Sequence, residues 1–321
     1  MRPLSLLVLL CTRSSSSSAS PGAPSTTSFV HGLSKLPATF QTVLSDIDGT
    51  LLTSSHEMPA ETIAAIRQVQ AAGFQFYPCT GRSRRSAANA AGPDFIGLFG
   101  SSLDEVPGVY QQGLQVYGPD GKMIYEQFLD PDIVKGVEEF ARQQHVALIG
   151  YCSDQIFTQH RDAQTDKITI YHEPIPTVHA SGLHTLPLPV HKLIFLADDD
   201  DLAALRPLLE DSPLGGQVSI TKAVPGMLEV LPLDSNKGAG VEKLLKHLKV
   251  DPAHAVSFGD GENDLEFLAL TGLGVAVGNA KAKLKLVADV VLERTNDENG
   301  VGECLKELCS WRKAQEDRSA L

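Results

Sequence analysis

Two distant stretches of the chain repeat one order of elements: a short apolar strand, an amphipathic helix and a further apolar strand. In the first stretch, residues 43–47 are predicted to form a short buried strand that ends in polar residues, a helical pattern begins at Pro59, and residues 74–79 are predicted to form a second strand. Strands joined by a crossover helix pair in parallel, because a tight turn joins only antiparallel neighbours. The same order returns between residue 241 and Val290, which predicts an α/β fold with one doubly wound, Rossmann-like parallel sheet.

The middle of the chain follows a different pattern. Residues 109–117 and 123–128 flank Gly118-Pro119-Asp120-Gly121, a sequence typical of a turn, and are predicted to pair as a hairpin. After them come a helical segment, strand-like pieces and the apolar run 190–196, which indicate an α+β domain inserted into the α/β core. The predicted division is residues 129–232 for this domain, called the insert below, and residues 41–128 with 233–321 for the core.

The N-terminal segment differs from the rest in composition. Residues 1–45 contain Arg2, Arg13 and Lys35 but no acidic residue, and a short apolar stretch precedes a run of serines. The apolar stretch is typical of a secretory signal, the Ser-rich and acid-free tail of an organellar transit peptide, and a disordered tail is the third alternative. We predict a presequence or disordered leader over residues 1–40, with a plastid or mitochondrial destination favoured over the cytoplasm or the secretory pathway.

Composition excludes several classes of protein. Apolar residues make up 42% and charged residues 21% of the chain, and no apolar run approaches the length of about 20 residues that spans a bilayer. We therefore predict a soluble protein without stable membrane insertion. With 27 Lys and Arg against 39 Asp and Glu, the formal net charge of -12 argues against a nucleic-acid partner. The 5 Cys residues include no CxxC pair, which argues against a disulfide framework and favours an intracellular chain.

Two carboxylates follow the first predicted strand. Asp46 and Asp48 lie two residues apart at its end, so the alternation of side chains along a strand points both carboxylates the same way. Gly49 then allows the backbone to pass close to a ligand. Such a pair suits a nucleophile with a proton donor, and it equally suits two metal ligands, so the strand end alone leaves both roles open.

Three further polar segments lie at predicted strand ends or at the start of a helix. Thr80-Gly81-Arg82 offers a hydroxyl and an accessible backbone amide, which suit a phosphate oxygen, and Lys237 offers a positive charge. Residues 259–264 place three acids and an amide beside two glycines, and such hard oxygen ligands suit Mg²⁺. Because the carboxyl ends of the strands share one edge of a doubly wound sheet, we expect the four segments to converge, as phosphoryl transfer requires.

These segments, taken in order, resemble the haloacid dehalogenase-like superfamily, and the position of the insert resembles the Cof-type, class IIB phosphatases with a cap of the C2B type. The likeness covers the chain after about residue 41. The motifs that carry it are Asp46-Ile47-Asp48-Gly49-Thr50, Thr80-Gly81-Arg82, Lys237 and Gly259-Asp260-Gly261-Glu262-Asn263-Asp264. The chain departs from the usual pattern at two places: Gln111-Gln112-Gly113 replaces an Asn-Gly-Ala step, and Phe267 replaces a Met.

The resemblance implies a Mg²⁺-dependent phosphatase that works through an aspartyl-phosphate. Asp46 would attack phosphorus, and Asp48 would protonate the leaving oxygen and then activate water. The implied ligands of Mg²⁺ are the Asp46 carboxylate, the Asp48 backbone carbonyl and Asp260. The implied phosphoryl-binding residues are Thr80, Gly81, Lys237 and Asn263. Asp264 would contact these residues without contacting the phosphoryl group itself.

The sequence leaves the partner and two alternative functions open. We expect a phosphorylated small molecule as the substrate, with sugar phosphates or similar phosphate monoesters first, and the sequence indicates no oligomeric state. A phosphotransferase or mutase acting on sugar phosphates would use the same four segments. A non-catalytic phosphate-binding protein would be expected to lack the nucleophile or the metal acids, all of which this chain keeps.

Overall fold

The structure, a computed structural model, describes residues 28–222 and 224–319. Within these residues the chain forms three sheets of five, six and three strands. In chain order the strands are β1 (Thr42–Ser45), β2 (Gln75–Pro78), β3 (Gly108–Tyr110), β4 (Gln115–Tyr117), β5 (Met123–Glu126), β6 (Ala147–Cys152), β7 (Gln155–Thr158), β8 (Thr177–Val178), β9 (Lys192–Leu196), β10 (Val218–Thr221), β11 (Met227–Pro232), β12 (Ala255–Gly259), β13 (Leu273–Ala276) and β14 (Val290–Val291).

Helices flank these sheets. In chain order they are α1 (Phe29–Leu33), α2 (Ala60–Ala71), α3 (Arg84–Ala91), α4 (Pro93–Ile96), α5 (Pro131–Gln143), α6 (Ala163–Asp166), α7 (Asp199–Glu210), α8 (Lys237–Leu248), α9 (Leu265–Leu270), α10 (Ala282–Val287) and α11 (Gly300–Ser319). Among the described residues, none of these helices combines the length and the apolar character that a membrane span needs.

The five-stranded sheet is parallel throughout and has the spatial order β14-β13-β12-β1-β2. It therefore joins strands from both ends of the chain, and the predicted doubly wound α/β core is confirmed. The helix predicted to begin at Pro59 is α2, which buries Ile63, Ile66 and Val69. This helix ends before Gly73, whose φ of +83° is a backbone conformation that glycine adopts without strain.

The pairing of β1 with both of its neighbours decides where the polar segments lie. Ser45, the last residue of β1, is paired with Phe258 of β12 on one side and with Pro78 of β2 on the other. The backbone N–H of Asp46 then donates to the carbonyl of Phe258 over 2.9 Å. The residues that follow these three strands consequently leave the sheet side by side at its carboxyl edge.

The six-stranded sheet has the order β10-β11-β9-β6-β7-β8, and its neighbours are antiparallel except for β7 and β8. All six strands and helices α5–α7 lie within residues 129–232, so the α+β insert is present as a unit of secondary structure. It has its own apolar cluster, which includes Val137, Leu193, Phe195 and Val230. The boundaries predicted for the insert and the core remain predictions.

The predicted hairpin strand over residues 109–117 is wrong in one respect, because the chain turns back within it. β3 ends at Tyr110, and β4 pairs antiparallel with it directly afterwards, so β3, β4 and β5 form a small sheet of three strands. Gln111 and Gln112 have φ values of 49° and 59°, and Gly113 follows with 92°. Two left-handed non-glycine residues in succession are rare, and the alternation of apolar side chains gave no sign of them.

Residues 28–40 pack on the core, although the sequence analysis placed them in the leader; residues 1–27 lie outside the described residues. Phe29, Leu33 and Phe40 are buried, and the Phe40 ring lies 5.4 Å from the rings of Phe74 and Trp311. Trp311 belongs to α11, a C-terminal helix that the sequence analysis did not assign and that packs against α2. The apolar side chains of this segment therefore contribute to the core.

We expect that a chain starting at Gln41 is less stable than a chain starting at Ser28. Burial of a large apolar side chain contributes about 1.5–3 kcal/mol, and the shorter chain loses Phe29, Leu33 and Phe40. The expected loss is at least about 3 kcal/mol, measured by urea unfolding of both proteins. Equal midpoints for the two truncated chains would show that residues 28–40 add nothing to the stability of the core.

Candidate active site

Lys237 lies at the centre of the polar cluster at the carboxyl edge of the parallel sheet. It is the first residue of α8, which is capped by the side chain of Asn236, and it is fully buried. Its ammonium donates to Asp46 Oδ1 over 2.8 Å and to Asp264 Oδ1 over 2.5 Å. Burial alone would lower the pKa of Lys237, but the charges of Asp264 and Asp46 outweigh burial and raise it. The side chain is therefore a fixed cation between two buried carboxylates.

Asp264 has both carboxylate oxygens occupied by the protein. Its Oδ1 accepts from the Lys237 ammonium. Its Oδ2 accepts from the backbone N–H groups of Asp260 and Gly261, each over 2.8 Å. These bonds hold the loop after β12 in shape. A Cβ on Gly259 would lie 2.7 Å from the Asp264 carboxylate, so only glycine allows this approach. Asp264 thus contacts Lys237 and the loop after β12, and the supporting role that the resemblance implied for it stays a prediction.

Three carboxylates at this edge lie close together, and two of them, Asp46 and Asp260, do not have both oxygens bound by donors of the described residues, as Asp264 does. Oxygen atoms of Asp46, Asp260 and Asp264 lie within 4.8 Å of one another, and Thr50 Oγ1 donates to Asp260 Oδ1 over 3.0 Å. If all three acids are ionised, Lys237 balances only one of them, which leaves an excess of negative charge in a buried place. Oxygen ligands and an uncompensated negative charge fit a divalent cation of the Mg²⁺ type.

The pKa values of two of these acids reflect the same shortage of positive charge. Burial raises the pKa of Asp46 well above its usual value, with a further rise from the charge of Asp264 that Lys237 offsets only in part. Burial, followed by the charge of Asp264, raises the pKa of Asp260 to about 7. Both shifts arise because buried carboxylates repel one another and have lost their water.

Asp48 is held by a residue whose role the sequence analysis did not assign. Arg82 donates from Nε to Asp48 Oδ2 and from Nη2 to Asp48 Oδ1, both over 2.7 Å. The same guanidinium donates to the carbonyl of Tyr171, which belongs to the insert. Arg82 therefore links an acid of the core to the insert, and it occupies one position on each oxygen of the Asp48 carboxylate.

Three of the four residues predicted to bind phosphate line a cavity at this sheet edge, and the fourth, Lys237, does not. Thr80 is fully buried, its hydroxyl accepts from the backbone N–H of Arg82 over 3.1 Å, and Gly81 follows it directly. Asn263 lines the cavity from the loop after β12. The structure thus brings Asp46, Asp48 and Asp260 together with Thr80, Gly81 and Asn263 around one space, with Lys237 and Asp264 buried behind it.

The opposite wall of the cavity belongs to the insert, and the sequence analysis identified none of its residues. Its polar side chains are Glu173, Lys192 and Glu229, and its apolar and aromatic side chains are Tyr151, Tyr171, Ile194, Val224 and Met227. Burial raises the pKa of Glu173. No spacing in the sequence marks these residues, because they reach the site only when the insert rests on the core.

Comparison with known proteins identifies relatives of this chain. A family model described as haloacid dehalogenase-like hydrolase matches residues 43–305. A protein of Arabidopsis thaliana named "Endoribonuclease YBEY, chloroplastic" is 33% identical over 278 residues, which are 85% of this chain and 47% of that protein. The chain therefore spans about half the length of this relative.

Two further comparisons cover more than four fifths of the proteins that they match. An HMP-PP phosphatase of Yersinia pestis (strain Pestoides F) is 31% identical over 248 residues, which are 75% of this chain and 84% of that enzyme. The crystal structure of a haloacid dehalogenase-like hydrolase from Bacteroides thetaiotaomicron is 25% identical and has a TM-score of 0.71. That match covers 84% of this chain and 100% of the solved one.

Proposed function

The chain belongs to the haloacid dehalogenase-like hydrolases, as its motifs indicated, and from that premise we propose that it hydrolyses a small phosphate monoester with Mg²⁺ through a phosphorylated Asp46. The observation that carries the proposal is the convergence on Lys237. Its ammonium joins Asp46, 191 residues earlier in the chain, to Asp264 in the loop that also presents Asp260. A fixed cation, a buried carboxylate and a candidate cation site at one sheet edge suit phosphoryl transfer.

In the proposed first step, the Asp46 carboxylate forms a bond to phosphorus while the bond from phosphorus to the leaving oxygen breaks. Lys237 holds Asp46 Oδ1, which fixes the orientation of the carboxylate for attack. Asp48 leaves Arg82, takes up a proton from solvent and gives that proton to the leaving oxygen. In the second step, Asp48 takes a proton from water, the water oxygen attacks phosphorus, and the bond to Asp46 breaks to release inorganic phosphate.

We assign the Mg²⁺ ligands to the Asp46 carboxylate, the Asp48 backbone carbonyl and Asp260. When bound, the ion supplies positive charge that offsets the negative charge of a phosphoryl group and of the surrounding acids. Thr50 keeps Asp260 in place through its bond to Oδ1, and the two backbone N–H groups on Asp264 Oδ2 fix the loop that carries Asp260. Thr80, Gly81 and Asn263 would hold phosphoryl oxygens.

The insert supplies the wall that faces the leaving group. Tyr151, Tyr171 and Met227 offer aromatic and apolar contacts, while Glu173 is a buried acid beside them. A wall of this kind excludes bulk water during the first step, when water would compete with Asp46 as the nucleophile. We propose a small phosphorylated metabolite as the substrate; sugar phosphates stay the first expectation, and the phosphatase name of the Yersinia relative supports the reaction class.

We expect that removal of divalent cations by EDTA lowers phosphate release by at least about 100-fold, and that Mg²⁺ restores it. The assay uses the purified chain with a panel of phosphorylated metabolites. Mg²⁺ should also raise the melting temperature of the wild-type protein, because a cation that binds only the folded state stabilises it.

The matched variant for this test is Asp260→Asn, which should show neither the activity nor the rise in melting temperature with Mg²⁺. Asp251→Asn is the control, since Asp251 only caps a short 3₁₀-helix away from the sheet edge. Full turnover in exhaustive EDTA would end the assignment of Asp260 to a metal. Turnover that delivers the phosphoryl group to a second hydroxyl, seen by product analysis, would replace hydrolysis by transfer.

We propose further that the protein carries an organellar presequence. The acid-free, Ser-rich segment before residue 28 supports this proposal, as does the chloroplastic relative from Arabidopsis. Because Phe29 and Leu33 pack into the core, the mature chain should begin before Phe29 rather than near residue 40. N-terminal sequencing of the protein isolated from its source tests this position, and a mature chain that begins after Phe40 would contradict it.

A further inference from the structure

Gln112 occupies an unusual place in the loop between β3 and β4. It is fully buried and has a φ of 59°, a left-handed conformation that residues other than glycine rarely adopt. It is also the middle residue of the step at which this chain departs from Asn-Gly-Ala. Glycine would remove this strain, so the contacts of the Gln112 side chain decide whether it has a role at the site.

The carboxamide of Gln112 makes one bond to the core and one to the insert. Its Oε1 accepts from Asn263 Nδ2 over 3.0 Å, and its Nε2 donates to Glu229 Oε1 over 2.9 Å. Both partners are buried, Asn263 in the loop after β12 and Glu229 in β11 of the insert. A reversed carboxamide would set two oxygens against each other at Glu229, so these partners fix its orientation.

The chain of bonds continues from Glu229 to the other side of the phosphate site. Glu229 Oε2 accepts from the Lys192 ammonium over 2.8 Å, and that ammonium also donates to the carbonyl of Gly81 over 2.8 Å. A Cβ on Gly81 would lie 2.4 Å from Gln112 Nε2, so the carboxamide also packs directly behind Gly81. Two residues of the insert therefore reach the phosphate site. Glu229 contacts Gln112, which holds Asn263, and Lys192 contacts Gly81 directly.

We propose that Gln112 is a positioning residue that makes the phosphate site complete only when the insert is seated on the core. With the insert in place, Glu229 orients the carboxamide, which then holds Asn263, while Lys192 holds Gly81. When the insert moves away, Gln112 loses its acceptor and Asn263 loses its fixed orientation. This inference rests on the phosphate-binding roles proposed above for Asn263 and Gly81.

The test compares Gln112→Met with Gln111→Met. Gln111 is a close control, because it is equally buried, also left-handed and also bonded to the insert, through the carbonyl of Ser153. Its carboxamide binds Gln115 and Ser153 and makes no bond to Asn263. We expect Gln112→Met to lower kcat/KM by about 10-fold and to weaken competitive inhibition by inorganic phosphate to a similar extent, as for loss of one well-oriented bond. Gln111→Met should change neither by more than about 3-fold, while both variants lose similar melting temperature.

A second variant and a double-mutant cycle complete the test. Gln112→Gly removes the carboxamide and relieves the left-handed backbone, so it should fold and show the same loss of phosphate affinity. In a Glu229→Met background, adding Gln112→Met should have almost no further effect, because the acceptor is already absent. Equal effects of the Gln111 and Gln112 variants, or independent effects of the Gln112 and Glu229 variants, would overturn the inference. A wild-type protein that releases no phosphate from any ester would instead contradict the proposed function.

Discussion

Asp46→Asn is expected to lower kcat by at least about 10⁴-fold while the protein stays folded. An amide oxygen does not form the bond to phosphorus that the carboxylate forms, and the uncatalysed hydrolysis of phosphate monoesters is among the slowest known reactions. The fold should survive because the amide oxygen of the substituted side chain still accepts from the Lys237 ammonium. The change also removes one of several mutually repelling buried charges, so the melting temperature should not fall greatly.

The measurement is phosphate release with Mg²⁺ under saturating substrate, together with intact-mass analysis of protein quenched in acid during turnover. Wild-type protein should gain the mass of one phosphoryl group, and Asp46→Asn should not. Asp289→Asn is a suitable control, since Asp289 accepts from the backbone N–H of Gly274 and lies outside the cavity. Retention of wild-type turnover by Asp46→Asn would assign the nucleophile to another residue.

Lys237→Met is expected to remove activity and to lower stability by about 3–5 kcal/mol, which is the usual effect of breaking a buried ion pair from one side. The ammonium is fully buried between Asp46 and Asp264, so its loss leaves two carboxylates without their cation. Urea unfolding at one pH without Mg²⁺ measures the change in stability, and phosphate release measures the change in activity.

Two controls separate the effect of losing the buried charge from the effect of changing a residue of helix α8. Lys246→Met changes an exposed lysine of the same helix and should alter stability by less than about 0.5 kcal/mol. Adding Asp264→Asn to Lys237→Met removes one of the unpaired carboxylates, so it should recover part of the stability without recovering turnover. If Lys237→Met were as stable as the wild type, the ammonium would not be holding these carboxylates in the folded protein.

The parallel core was predictable because the signals for it are local. The apolar runs, the helix after Pro59 and Gly73 after that helix depend on residues close together in the chain, and each is found where the pattern placed it. The convergence at the sheet edge was predictable too, since parallel strands must end on the same side. A lysine before a helix is ordinary by itself, and Lys237 was assigned to the site only because this rule places it near the strand ends.

Other features depended on contacts that no local pattern reports. The pairing of Arg82 with Asp48 joins two residues of the core, but the identity of the partner follows only from how the loops fold back. Helix α11 and residues 28–40 form one side of the core by packing against each other, although the sequence of residues 28–40 suggested a leader and α11 was not predicted. Gln112 looked like a departure from a motif, and its two partners give that departure a structural reason.

The amino-acid sequence by itself determined the class of fold, the family and the segments that carry the candidate chemistry, because strand and helix periodicity and short motifs are properties of neighbouring residues. Only the tertiary structure decided which side chains of the site form hydrogen bonds and ion pairs with each other. The wall of the cavity from Tyr151 to Glu229 and the bonds that join Glu229 to Gln112 arise when two separately packed sheets meet, at sequence separations where no periodicity relates one residue to another.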